Sequence, residues 1–172
     1  MFLVRFILVV LAFSGLICSA VPAQTVISLT DTAEVQIVLD RIQSCVRQEN
    51  ADKFFFVTEF PATFGSRVLD RKAAKSALDS VFAIGHARPA GNLKPLELTP
   101  GAYWDFGIDN TAYEFSGDSC MVTCRLTLHA APREEGKPYT SDEVFYVVKV
   151  GHSWLLKSSE NLLDFLLEGG GK

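Results

Sequence analysis

The hydrophobic positions of this chain change period twice. From Asp31 to Gln48, Val35, Val38, Leu39, Ile42, Cys45 and Val46 recur every three or four residues, and Arg41, Gln43, Arg47 and Gln48 fall mostly on the other side. That spacing predicts an amphipathic helix with one buried stripe. Asp31 followed by Glu34 reads as a capping-box-like start. Asn50-Ala51-Asp52 breaks the helix and opens a second, short helical segment, ADKFFFVTEF. Pro61 stops it, because the residue before a proline disfavours helical backbone. Three consecutive phenylalanines cannot share one helix face, so Phe54, Phe55 and Phe56 are expected to be buried on more than one side or to line a cavity. After the loop ATFGSRV, the segment DRKAAKSALDSVFAIG repeats the helical spacing. Ala74, Ala77, Leu78, Val81 and Phe82 form its stripe, Asp70 its N-cap and Gly85 its C-terminal stop. HARPAGNLKP reads as a surface loop.

From Leu96 the period falls to two. LELT, AYWDFGI and TAYEFSG read as short extended pieces separated by Pro100-Gly101 and Asp109-Asn110. DSCMVTCRLTLHAA is clearer: Cys120, Val122, Cys124, Leu126, Leu128 and Ala130 alternate with Met121, Thr123, Arg125, Thr127 and His129, giving one buried and one largely polar face. PREEGKPYTSD is a polar connection. Val144 to Val150 is a β-branched strand, Gly151-His152 a two-residue turn with glycine first, and Ser153 to Lys157 the returning strand, with Trp154 and Leu156 on one face. The period then lengthens again: Ser159 caps a last short helix, ENLLDFLLE, whose Leu162, Leu163, Leu166 and Leu167 either dock on the domain or form a dimerisation surface.

Composition adds a compartment. The chain has 172 residues, a formal net charge of −4 and 48% hydrophobic content. Part of that content is the unbroken apolar run from Phe6 to Phe13 after Arg5, followed by small residues, which is the pattern of a secretory signal peptide. Cleavage fits after Ala20 or after Ala23, and the domain organisation reads as a signal peptide over 1–23, one domain over 24–168 and a flexible tail over 169–172. An uncleaved anchor and lipidation at Cys18 are the alternatives; the run is short for a span of roughly 20 residues, and Ile17 is a poor residue before a lipidated cysteine. About 150 residues remain, enough for one cored domain. There is no basic stripe to suggest a nucleic-acid partner. Cys45, Cys120 and Cys124 are an odd set for an exported protein. Cys120 and Cys124, four residues apart on a strand rising about 3.3 Å per residue, cannot bridge each other. Cys45 could reach one of them; otherwise all three are small buried hydrophobes. No CxxC or CxH spacing suggests a metal site, and no cofactor is expected.

FYVVKVGHSWLLKSSEN, a strand, a short glycine turn and then Trp, Leu, Lys and Ser, resembles the ending of NTF2-like and SnoaL-like proteins. VQIVLDRIQSCVRQENADKF resembles their opening, a long helix running into a short second one. The resemblance covers most of the mature chain and implies an α+β fold, with a curved antiparallel sheet wrapped around N-terminal helices as a cone. The short C-terminal helix departs from the typical member. Members include isomerases, dehydratases, transport factors and binding domains, so the resemblance implies a scaffold and leaves its use open. In the catalytic members, acids and tyrosines line the cone, where burial raises an acid's pKa. The nearest candidates here are Tyr103, Asp105, Tyr113 and Glu114, and no catalytic set is assigned. Read as strand residues, Tyr103 and Asp105 would face one side and Trp104 the other. Trp104 and Trp154, with Phe54, Phe55, Phe56, Phe60 and Phe64, are candidates to line an apolar pocket or to fill the core. His86, His129 and His152 show no ligand spacing. The expected function is an exported binding or interaction module, taking a small apolar molecule in the cone or a protein partner on the sheet. A homodimer through Thr123, Arg125, Thr127 and Tyr146 is one form of the latter. A small lyase or isomerase using a cone acid and a tyrosine is the alternative. A cone filled by Phe54 to Phe56 would count against that enzyme; an open cavity holding a desolvated acid beside a tyrosine would favour it.

Overall fold

A computed structural model describes residues 29–86, 103–128 and 138–171. The expected signal segment, the loop from Ala87 to Pro95, the Leu96 to Thr99 strand, the Pro100-Gly101 break and His129 lie outside them. The elements are α1 (Leu29–Arg47), α2 (Ala51–Phe54), β1 (Thr58–Phe64), β2 (Arg67–Leu69), α3 (Arg71–His86), β3 (Gly107–Ser116), β4 (Ser119–Leu128), β5 (Tyr139–Val150), β6 (Ser153–Ser159) and α4 (Leu162–Gly171). The strands form one six-stranded curved sheet in the order β2-β1-β6-β5-β4-β3. All neighbours are antiparallel except β1 and β6, which run parallel.

One apolar cluster joins the helices to the inner face of the sheet. The α1 stripe is buried at all six expected positions. β4 buries Cys120, Val122, Cys124, Leu126 and Leu128, and β5 and β6 add Phe145, Val147, Trp154 and Leu156. Gly151, at φ +63, makes the tight β5–β6 turn that pairs Val150 with Ser153. Asp70 caps α3 as expected: its Oδ1 accepts from Ala73 N at 2.7 Å. α1 also fixes the start of β3, because Gln43 Oε1 accepts from Ile108 N at 3.0 Å and Arg47 Nε donates to Phe106 O at 2.7 Å.

Several expectations are corrected. The second helical segment is only four residues long. From Thr58 the chain is strand, and Pro61, whose bond to Phe60 is cis, lies inside it rather than ending a helix. A proline is tolerated there because the β1–β6 register shifts between Thr58 and Thr63, leaving the ladder irregular where Pro61 has no N–H to give. ATFGSRV is the β1–β2 hairpin. Asp109-Asn110 does not separate two strands. It is a bulge inside the single strand β3, with Asn110 at φ 54, a conformation that asparagine tolerates. Tyr139 to Asp142 belong to β5, not to a loop. Gly85 lies within α3, which runs on to His86. Asp31 does not cap α1; it sits in the first turn and bonds across to Lys149 and Trp154. Gly169 to Gly171, expected as a tail, are the last turn of α4. Gly169 is packed so tightly that a Cβ there would lie 2.9 Å from Leu128 Cδ2.

Cys45, Cys120 and Cys124 are free and buried. The bridge considered for Cys45 is not formed, and the thiols serve as small apolar groups in the core. Burial pushes Cys120 up to about 11 and Cys124 up to about 12, the latter helped by the nearby carboxylates of Glu143, Asp109 and Asp142.

Candidate functional site

The interior of the cone is filled by the chain's own side chains. Phe54, Phe64, Tyr103, Phe106 and Phe145 are fully buried. α4 completes the filling: Leu162, Leu163, Phe165 and Leu166 are all buried. Phe165 stacks on Tyr139 at 4.8 Å between ring centroids and meets the Phe106 ring edge-on at 6.1 Å. The Tyr103 hydroxyl donates to the Leu166 carbonyl at 2.8 Å, tying α4 to the segment before β3. That bond needs Tyr103 in a turn ahead of β3, so the Tyr103–Asp105 strand alternation does not occur.

The pocket candidates therefore separate. Phe54 and Tyr103 are core. Phe55 is half-buried against Phe60, with the Arg71 guanidinium over both rings. Phe56 is 79% exposed and Trp104 52%. Asp105 is half-buried, and Glu114 is exposed on β3. Tyr113 pairs through its hydroxyl with Gln36 of α1. Trp154 lies under Phe115 at one end of the sheet and donates from Nε1 to Asp31. There the Lys149 ammonium, 2.9 Å from Asp31 Oδ1, holds that carboxyl below the usual range. His152 occupies the β5–β6 turn. Of the acid and tyrosine candidates, Tyr103 thus reaches α4, Tyr113 reaches α1 and Glu114 faces solvent.

Glu143, 2% exposed, is the most buried acidic residue among those described, while Asp105 and Glu49 bury their carboxylate oxygens on less buried residues. Sequence reasoning misses Glu143, because the β-branched run that marks the strand begins only at Val144. Its signal is parity: counting back by two from Phe145 and Val147 places Glu143 on the inner face. It faces Cys124 across the ladder. Its Oε1 accepts from Val144 N at 3.1 Å, Ser159 Oγ at 3.1 Å and Glu160 N at 2.7 Å, and its Oε2 accepts from Asn161 N at 2.9 Å. Ser159 Oγ in turn accepts from Leu162 N at 3.1 Å, the cap predicted for the last helix. Burial pushes Glu143 up to about 7 in spite of these donors. Chemically this is a desolvated acid, yet both oxygens are occupied by the backbone and hydroxyl that start α4. No tyrosine hydroxyl is among its bonds. It organises a helix terminus, and the same residue contributes to the lining of a depression of about 290 Å³ between β3, β4 and β5.

The outer face of the sheet is different. Tyr146 and Val150 are 42% and 45% exposed. Around them, on the same side by strand alternation, lie half-buried Met121, Val144, Val148 and Leu155. Met121 pairs with Tyr146 and Leu155 with Val148 across the ladders, so these side chains are contiguous. At one border Arg125 and Asp142 form an exposed ion pair at 3.2 Å. The depression that Glu143 helps to line lies beside it, with Asn110, Thr123, Cys124 and Val144 also in its wall.

No family model and no curated protein matches the sequence. Solved structures do match. A cystatin-like-fold protein of unknown function from Nostoc punctiforme is 12% identical, with a TM-score of 0.56 over 77% of this chain and 90% of that one. The chain adopts the NTF2-like fold. An NTF2-like protein from Cytophaga hutchinsonii (7% identity, TM-score 0.51, covering 77% and 96% of the two chains) agrees. So does a function-unknown protein from Mycobacterium tuberculosis (10%, 0.54, 82% and 89%). At these identities the likeness is of fold alone. The NTF2-like fold serves binding and enzymatic modules alike, so the choice between them rests on this chain's own residues.

Proposed function

We propose that this NTF2-like chain is an exported, non-enzymatic interaction module whose working surface is the outer face of its sheet, and that its partner there is a second copy of itself. The observation that carries this reading is the contrast between the two faces. The inner face is spent on Tyr103, Phe106, Phe145 and α4, whereas the outer face leaves Met121, Val144, Tyr146, Val148 and Leu155 as one apolar strip. Apolar strips with a charged border mark interaction sites. Both signs stand on that border, Arg125 beside Asp142. Two copies related by a twofold axis can therefore set each cation against the other's carboxylate, as a self-complementary interface requires. Export follows from the apolar run Phe6 to Phe13 and the small residues after it. A cone acid acting on a substrate is disfavoured, because Glu143 gives its oxygens to the start of α4.

Sedimentation velocity on the chain from residue 24 onward tests the reading. Wild type should sediment at twice the chain mass, and Tyr146→Asp, which puts a charge at the centre of the strip, should return it to the single-chain mass. A wild-type monomer at all concentrations would refute self-association. A dimer indifferent to Tyr146→Asp would move the interface elsewhere.

A further inference from the structure

We propose that the twofold axis of the sheet-face pair lies along the β4–β5 seam, so that the two copies recognise each other by exchanging the partners of that ladder: Arg125 meets the partner's Asp142, and Met121 meets the partner's Tyr146. This rests on the self-association proposed above and adds what sets its register and its specificity.

On the outer face the β4–β5 ladder presents one column of paired side chains. Ser119 stands beside Val148, Met121 beside Tyr146, Thr123 beside Val144 and Arg125 beside Asp142. The column is apolar towards Tyr146 and charged towards Asp142. A twofold axis between two sheets stacked face to face lies in the plane of their contact, and here it can run across these strands or along them. An axis across them through Arg125 and Asp142 sets like charges together. An axis across them through Thr123 and Val144 lays Arg125 and Asp142 over the partner's Met121 and the partner's Tyr146. Two charges then lose water against apolar groups, and their desolvation is not repaid. An axis along the seam lays every pair over itself with its members exchanged. Cation meets carboxylate, and the Met121 thioether meets an aromatic ring, a contact that sulfur favours. The short Thr123 side chain meets a valine.

The charged end sets the specificity. Within one chain Arg125 Nη2 is 3.2 Å from Asp142 Oδ1, and both side chains are exposed. The seam axis brings two such pairs together as an alternating square, each cation between two carboxylates. Asp109 of β3 flanks Arg125 on its other side, where its Oδ2 accepts from Thr127 Oγ1 at 2.9 Å. An isolated exposed ion pair adds little, whereas several charges in one network add more. The same square discriminates, because a copy whose charges are reversed at one corner sets like charges face to face.

Sedimentation velocity on two charge-swapped variants, Arg125→Asp and Asp142→Arg, tests the axis. Both are made in the chain from residue 24 onward, which holds every described element. Alone, each variant puts four like charges around the axis, and its dimer should weaken about a hundredfold or more. An equimolar mixture should sediment at twice the chain mass, because the carboxylates of one variant then face the cations of the other. Variants that stay dimeric alone overturn the seam axis and leave the sheet-face dimer standing. So does a mixture that stays at the single-chain mass although wild type dimerises. A wild type that is monomeric overturns the dimer itself, and the seam axis with it. Should either variant fail to fold, isotope-filtered NMR on mixed labelled and unlabelled wild type decides. Contacts from the Met121 methyl to the partner's Tyr146 ring support the seam axis, and contacts to the partner's Arg125 in their place overturn it.

Discussion

Replacing Phe165 by alanine tests whether α4 is part of the core or an appendage to it. The side chain is 2% exposed. It stacks on Tyr139 at 4.8 Å and meets Phe106 edge-on at 6.1 Å, so the substitution removes both ring–ring interactions together. Removing a buried phenylalanine costs about 3–5 kcal/mol, as lost transfer energy plus the cavity left behind. A value above the minimum of that range, about 4 kcal/mol, is expected here because Tyr139 is itself fixed by Glu168 and cannot fold inward without breaking that bond. Against a total stability of about 5–15 kcal/mol this is a large fraction. Urea unfolding followed by far-UV circular dichroism provides the assay. With a slope of about 2 kcal/mol per molar, the midpoint should fall by about 2 M. Leu167→Ala, at a half-buried position of the same helix, serves as a smaller control. A Phe165→Ala loss under about 1 kcal/mol with an unchanged slope would refute the packing described for α4.

The buried thiols should be inert: an aromatic disulfide reagent at pH 8 should label none of Cys45, Cys120 and Cys124 in the folded mature protein and all three in denaturant. Only one labelled thiol in non-reducing denaturant would instead reveal a bridge. Gly151→Ala should destabilise by about 1–2 kcal/mol, because φ +63 penalises any Cβ, although the space around it is open. Thermal unfolding measures this, and an unchanged midpoint would contradict the turn geometry.

Much of the scaffold is legible in periodicity. Val35 to Val46 name the face of α1, Cys120 to Leu128 the face of β4, and Gly151-His152 the hairpin with Trp154 and Leu156 turned inward. These are local signals, because a repeat of 3.6 or 2 shows which side is buried whatever it is buried against. The features that periodicity misreads depend on partners. Thr58 to Phe60 look helical because Phe54 to Phe56 give no period, and only parallel pairing with β6 makes that stretch a strand. Asp109-Asn110 has the composition of a turn and is a bulge, since β4 continues unbroken beside it. Glu143 hides at the edge of a polar loop, where its parity with Phe145 is the single clue. Tyr103 reads as a strand residue and lies in a turn ahead of β3, because its hydroxyl reaches the Leu166 carbonyl of α4, a partner that periodicity cannot name.

Hydroxyl-radical footprinting of the mature protein at low and high concentration tests the central claim, that the outer sheet face is the working surface, most directly. Met121 and Tyr146 should oxidise several-fold more slowly in concentrated protein, while Phe56 and Trp104, exposed elsewhere, should oxidise at the same rate in both. Equal rates for Met121 and Tyr146 at every concentration, or protection confined to Phe56 and Trp104, would contradict it.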